Sequence, residues 1–220
     1  MIVLGIDEAG RGAIIGPLVI AGALIEEEKL SKMKEIGVKD SKLLTPMQRE
    51  KLYDKIIKLL KDFTIIKISA KDIDEMMKIK NLNRIECEKM AEIIKTLSPD
   101  VAYLDAPQVN IEKFKEYVSS LAKNDTKIIA ENYADRKYVI VAAASIIAKV
   151  ERDREVERIK KITNTDFGVG YPHDEKTIMF VRNCIKTGKY LEYVRKSWVT
   201  FSNLSGEEKQ KKLSEYCTKI

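Results

Sequence analysis

Histidine is almost missing from this chain. Its 220 residues include one, His173, which excludes a histidine-based zinc site and leaves a Ser–His–Asp arrangement without support. Cysteine is scarce as well. Cys87, Cys184 and Cys217 are far apart and odd in number, so neither a zinc-binding spacing nor a disulfide framework is signalled, and a reducing, cytoplasmic setting is the expectation. Long hydrophobic runs are absent too. The longest, Ala13 to Ile25, is 13 residues interrupted by Gly16, Pro17 and Gly22; it is too short to span a bilayer and reads as buried core. Only six residues precede Asp7, so no signal peptide is expected. Internal repeats and low-complexity stretches are not found.

What is present is ample core material and dense, nearly balanced charge. Hydrophobic residues make up 45% of the chain, so a sizeable core is available. Lys and Arg number 40 against 34 Asp and Glu, for a net charge of +6; this permits a polyanionic partner without requiring one. The excess is concentrated late. From Val181 onward nine Lys/Arg face four Glu, and nine minus four supplies five of the six net charges. This stretch (Arg182, Lys186, Lys189, Arg195, Lys196, Lys209, Lys211, Lys212, Lys219) is expected to grip duplex phosphates or, alternatively, to be a solvated face.

Periodicity predicts strands over Ile2–Ile6, Leu18–Ile25, Phe63–Ser69, Val101–Leu104 and Lys127–Glu131. A helix is announced by Thr45-Pro46-Met47-Gln48, which combines a cap, a proline at the first helical position and a glutamine three residues after the cap. Further helices are predicted through Met90–Leu97, over Asn110–Leu121, and over Tyr138–Ile162, the last apolar in front and charged behind. Short ones follow, ending near Gly188, Lys196 and Tyr216. An early hairpin followed by alternating strands and helices gives an α/β fold, a mixed five-stranded sheet flanked by helices with a basic C-terminal helical appendage.

Four acids stand where predicted strands run out: Asp7, Glu8, Asp105 and Asp135. Any one of them could be only the first solvated residue after a strand. Together they fall on the rim where α/β sheets build their sites. Clustered carboxylates repel by roughly 4 kcal/mol per close pair at an effective dielectric near 20. Hard divalent cations such as Mg²⁺ or Mn²⁺ offset that cost, because they prefer oxygen ligands and complete their shell with water and substrate phosphate. Two such ions about 4 Å apart can activate a water and stabilise a leaving oxygen in phosphodiester hydrolysis. A regular strand would send Asp7 and Glu8 to opposite faces, so joint use of both requires the chain to be turning already toward Gly10.

Several segments resemble one family. Gly5-Ile6-Asp7-Glu8-Ala9-Gly10-Arg11-Gly12 with Gly16-Pro17 is similar to the opening of the type 2 ribonucleases H, the ribonuclease HII family. Lys39-Asp40-Ser41-Lys42, Leu104-Asp105-Ala106-Pro107, Ala134-Asp135-Arg136-Lys137-Tyr138, Ala142 to Asp153, and Gly170-Tyr171-Pro172 follow in the family's order, in the compact form typical of archaeal members. The resemblance implies a ribonuclease H-like catalytic domain over 1–180 and a basic helical subdomain over 181–220. It also implies hydrolysis of RNA paired to DNA and cleavage 5′ of a ribonucleotide embedded in duplex DNA, leaving 3′-hydroxyl and 5′-phosphate ends. Asp7, Glu8, Asp105 and Asp135 would be the catalytic metal ligands for Mg²⁺ or Mn²⁺. Gly10, Arg11 and Gly12 would meet the ribose 2′-hydroxyl, and Tyr171 would pack on the neighbouring nucleotide.

Other positions carry lighter expectations. Lys42 is a candidate phosphate contact. Ser145 and Lys149, four apart on the long helix, share a face that is expected to meet the substrate. Archaeal members often end in a sliding-clamp-binding motif; here Gln210, Leu213 and Tyr216 keep its pattern, but Cys217 replaces the second aromatic, and a plain amphipathic helix end is the alternative. A monomer is expected. Three rival readings are set aside on particular features. An actin-like phosphotransferase needs two such halves, a junction-resolving nuclease usually has proline after the first acid where this chain has Glu8, and a non-enzymatic duplex-binding module leaves the acids unexplained.

Overall fold

The structure, a computed structural model, describes residues 1–38, 44–107 and 110–207. Lys42 and the Gln210, Leu213 and Tyr216 set lie outside the described residues. Five strands, β1 (Ile2–Ala9), β2 (Leu18–Glu26), β3 (Asp62–Ile68), β4 (Val101–Asp105) and β5 (Lys127–Glu131), form one mixed sheet in the order β3-β2-β1-β4-β5. β1 is central. It pairs antiparallel with β2 and parallel with β4, which in turn is parallel to β5. The helices include α1 (Leu30–Glu35), α2 (Pro46–Leu59), α3 (Ala70–Met77), α4 (Leu82–Leu97), α5 (Ile111–Ala122), α6 (Ala134–Lys137), α7 (Val139–Thr163) and α8 (Glu175–Thr187), and residues 199–207 are helical as well. None among the described residues is long and apolar enough to cross a membrane.

The start of α2 forms as its sequence dictates. The Thr45 hydroxyl accepts from the Gln48 N–H at 3.3 Å, the Gln48 side chain accepts from the Thr45 N–H at 2.8 Å, and Pro46 opens the helix. Where periodicity predicts a single helix before Pro99, the chain makes two, because each has its own cap. Ser69 Oγ accepts from the Asp72 N–H at 3.1 Å ahead of α3, and Asn81 Oδ1 from the Arg84 N–H at 3.0 Å ahead of α4. The one-turn helix α6 and the short α1 are not foreseen by the apolar pattern.

Residues group into two compact units. The first, residues 1–9, 19–67 and 80–153, holds the sheet. Its core packs the largely apolar front of α7, Ile140 to Val150, with β1 and β2. The approach is very close at Gly5, where an added Cβ would sit 2.4 Å from the Ile140 backbone. Behind that apolar stretch the helix is not simply solvated. Buried Glu151 accepts from the Tyr53 hydroxyl at 2.7 Å and pairs with Lys67 at 2.8 Å, and Asp153 pairs with Arg49 at 3.0 Å, fastening α2 and β3 to α7.

The second unit comprises residues 10–18, 68–79 and 154–220. Ile14, Ile15, Val156, Ile159, Phe167, Phe180, Val181, Cys184, Val194 and Leu204 make its core. Helix α8 runs unbroken through the 180/181 boundary that the resemblance implies, and both residues there are buried in this core. Arg182 pairs with Glu207 at 2.6 Å, and Arg195 is fully buried, so Arg195 is not part of an open cationic face.

Candidate active site

Pairing between β1 and β4 creates the acidic site. The two strands are parallel with Ile6 opposite Leu104, so the next residue of each, Asp7 and Asp105, falls side by side toward the C-terminal end. Beyond β5 the chain turns at Tyr133, held in the left-handed region at φ 58°, and enters α6, which carries Asp135. That turn aims the Ala134 N–H at Asp105 Oδ1, 2.8 Å away, and fixes the carboxylate.

Asp7 is 5% exposed. Burial raises its pKa from 3.8 to about 7, with further raising by the charges of Asp105 and Asp135. Hydrogen bonds from the Ser145 hydroxyl and the Glu8 N–H oppose the shift, the latter at 2.7 Å. Three carboxylates thus act across a small region, and two of them, Asp7 and Asp135, are buried away from water.

The strand that carries Glu8 is longer than the sequence predicts. The strand does not stop at Ile6 but stays paired through Ala9, with Asp7 opposite Ala21, Glu8 opposite Ile20 and Ala9 opposite Val19; the turn comes only at Gly10, at φ 86°. Regular pairing sends the Cβ atoms of Asp7 and Glu8 to opposite faces. Among the described residues, no three His, Cys, Asp or Glu side chains are gathered tightly enough to hold a metal ion as they stand. The structure brings Asp7, Asp105 and Asp135 into electrostatic range, with Glu8 at the next position of β1. As donors, the acids offer carboxylate oxygens alone, the chemistry that suits Mg²⁺ or Mn²⁺.

Ser145, which the sequence assigns to the substrate, is 1% exposed and bound to Asp7. The reason is the packing of α7 onto β1 at Gly5, which sets this face of the helix against the strand. Half-buried Lys149 lies one turn further along that face. A fifth acid on the rim, Glu131, pairs with Asp105 in register but is held by Lys137 at 2.7 and 2.8 Å and by the Tyr138 hydroxyl at 2.6 Å. These contacts keep its carboxyl below the ordinary range, the Lys137 bond contributing most.

The second unit holds the other predicted residues. Gly10 to Ala13 form a tight turn, closed by the Ala13 N–H on the Gly10 carbonyl at 3.2 Å, with Arg11 and Gly12 at its centre. The Gly170 carbonyl accepts from the Ile14 and Ile15 N–H groups at 2.9 and 3.1 Å, which brings the Tyr171 loop alongside the turn. That loop is stitched internally. Thr177 Oγ1 accepts from the Gly170 N–H at 3.0 Å and donates to the Phe167 carbonyl at 2.8 Å, while Asp174 accepts from the Val169 N–H at 2.8 Å. The Tyr171 ring stacks on His173 with centroids 5.7 Å apart.

Residues 4–201 match the family model of ribonuclease HII. The ribonuclease HII of Pyrococcus abyssi is 43% identical over 217 residues, which are 97% of this chain and 96% of its own. The chain belongs to the ribonuclease HII family. The crystal structure of the ribonuclease H2 from Pyrococcus horikoshii is similar at a TM-score of 0.87 and 41% identity, covering 94% of this chain and 98% of that one. The structure of the PCNA:RNase HII complex from Archaeoglobus fulgidus contains a chain similar at a TM-score of 0.84 and 41% identity, covering 90% and 95%. The five-stranded mixed sheet is therefore the ribonuclease H-like fold, and the protein is a ribonuclease H, an endonuclease that degrades RNA in RNA/DNA hybrids.

Two structural features of this ribonuclease HII escape sequence reasoning. Ser145 hydrogen-bonds to Asp7, and only the contact between α7 and β1 reveals it. Arg195 sits beneath the Gly10–Gly12 turn, although an arginine in a basic stretch reads as exposed.

Proposed function

We propose that this ribonuclease HII hydrolyses the RNA strand of hybrids and also cuts 5′ of a ribonucleotide embedded in duplex DNA, leaving 3′-hydroxyl and 5′-phosphate ends. Asp7, Glu8, Asp105 and Asp135 would hold Mg²⁺ or Mn²⁺. The observation that carries this reading is buried Asp7, raised to about 7 with Asp105 and Asp135 acting on it. Such an arrangement is costly on its own and is offset by a hard cation. When bound, the ions supply activation of the attacking water and stabilisation of the leaving oxygen.

The chain's own groups prepare that chemistry. The Ser145 hydroxyl and the Glu8 N–H orient Asp7, and the Ala134 N–H orients Asp105. Glu8 contributes by the reach of its longer side chain from the next position of β1. Gly10, Arg11 and Gly12 present backbone groups to the ribose 2′-hydroxyl, the feature that separates RNA from DNA at one position. Tyr171 packs on the adjoining nucleotide, and Lys149 and Lys42 contact phosphates.

The test is cleavage of a labelled DNA duplex carrying one ribonucleotide, with Mg²⁺ or Mn²⁺ and with chelator. The expected result is a metal-dependent cut 5′ of the ribose. Cutting of long hybrid alone would remove the roles of Gly10, Arg11, Gly12 and Tyr171, and metal-independent cleavage would remove the carboxylate roles.

A sliding clamp is the proposed partner, through Gln210, Leu213 and Tyr216. Support comes from the Archaeoglobus fulgidus relative, whose structure is that of a complex with PCNA. Unchanged clamp affinity after deletion of residues 209–220, measured by titration, would overturn it.

A further inference from the structure

The largest fully buried side chain among the described residues is an arginine, Arg195, at 0% exposure. A buried guanidinium is costly unless its donors find acceptors, and two of its three nitrogens here find them in one short segment. Nε donates to the Gly16 carbonyl at 3.1 Å and Nη1 to the Arg11 carbonyl at 3.0 Å, while the Arg195 backbone N–H donates to the Ile14 carbonyl at 2.9 Å. The guanidinium carbon lies 4.7 Å from the Trp198 ring centroid. The Gly16 N–H donates to the Tyr193 carbonyl at 2.9 Å, and Ile15 bridges to Val194.

We propose that Arg195 is a positioning residue, which sets the Gly10–Gly12 turn for its contact with the ribose at a single embedded ribonucleotide. This rests on the ribose-reading role given to that turn. The planar fork grips carbonyls at both ends of the segment from Arg11 to Gly16, so it fixes direction as well as distance. In a trans peptide the carbonyl and the following N–H point in opposite directions. Turning the Arg11 carbonyl inward onto Arg195 therefore directs the Gly12 N–H to the exposed side. Gly12 is exposed, and an added Cβ there would meet nothing within 4 Å. The turn thus offers an outward backbone donor on a surface with no side chain in the way, and its orientation is set from below by one buried side chain. A lysine carries a point charge with rotatable donors and cannot impose two fixed directions.

The experiment measures kcat/KM on a duplex with one ribonucleotide and on a long RNA/DNA hybrid, for the parent, Arg195→Lys and Gly12→Ala, with melting curves for each. Arg195→Lys is expected to fold and to lose about ten- to a hundredfold more on the single-ribonucleotide substrate than on the hybrid, the size expected for an ångström-scale misplacement. Gly12→Ala is expected to show the same bias with an unchanged melting temperature. Equal losses on both substrates for folded Arg195→Lys, or no loss, would make Arg195 merely structural, while a bias in Gly12→Ala would leave the turn's role standing. No bias in Gly12→Ala would remove the turn's role, and the Arg195 proposal with it. If Arg195→Lys does not fold, Trp198→Leu, which keeps every donor but withdraws the ring beside the guanidinium, is expected to show a smaller bias in the same direction. An unbiased Trp198→Leu overturns the proposal.

Discussion

Asp7→Asn should stabilise the metal-free protein at alkaline pH while abolishing cleavage. In the unfolded chain the Asp7 carboxyl loses its proton near 3.8; in the folded chain it keeps it until about 7. Between those values the native state holds more protons than the unfolded state, so stability falls as pH rises through the window and levels off above it. At 1.36 kcal/mol per pH unit, the interval from 3.8 to about 7 sets a ceiling of about 4 kcal/mol. The realised effect is smaller, because Asp105 and Asp135 share the repulsion and relax together. Asparagine keeps an oxygen that can accept from Ser145 and from the Glu8 N–H, so the local bonds survive while the charge goes. Urea unfolding in chelator at pH 4 and pH 8, for parent and variant, measures the difference. The two should be close at pH 4, and the variant should be ahead at pH 8 by a few kcal/mol at most. A parent equal to or more stable than the variant at pH 8 would refute the claim that Asp7 is held at an electrostatic cost.

Other perturbations probe neighbouring links. Gly5→Ala puts a Cβ 2.4 Å from the Ile140 backbone, and α7 must move off β1; a loss of at least about 1–3 kcal/mol by denaturant titration is expected, with reduced turnover as Ser145 leaves Asp7. Ser145→Ala removes a bond that lowers the Asp7 pKa, so the pH–rate profile should shift to higher pH and the metal concentration for half-maximal activity should rise at pH 7. Tyr171→Ala should reduce kcat/KM on single-ribonucleotide duplexes more than on long hybrids, and equal losses would contradict a role beside the ribose. Lys123→Gly relieves a left-handed residue at φ 52° that ends α5, so melting should show a gain of about 0.5–1 kcal/mol.

The sheet was legible because its signals are local. Aliphatic runs bounded by Gly, Pro and Asp mark all five strands, and the Thr45 capping box marks α2 almost to the residue. What sequence could not settle is where pairing stops. The acids after Ile6 look like the end of a strand, yet β2 supplies partners as far as Ala9, and hydrogen bonding to a neighbour overrides the polar side chains. That longer pairing sends Asp7 and Glu8 to alternate faces. The split between α3 and α4 was missed because an apolar pattern reports burial and is blind to a cap such as Asn81. Asp105 and Asp135 were visible as acids after strands, but their nearness to Asp7 follows from the parallel register of β1 with β4 and from the bend at Tyr133. Neither is written in any one segment.

Two buried ionisable groups, Asp7 and Arg195, show how burial separates kinds of function. The Asp7 carboxylate is shifted toward neutrality first by burial and then by the negative charge it faces, so its local bonds do not cover the cost of ionising it. Such a group is poised for something that arrives, and a cation is the chemistry that fits. Arg195 faces carbonyl oxygens and an aromatic ring, both of which favour a cation, and its Nε and Nη1 donate to backbone. It is therefore built to hold another element still. Composition assigns both to charged surface. The distinction lies in the sign of what surrounds them: like charge around a buried group points to the chemical step, and complementary dipoles around one point to the shape that the step requires.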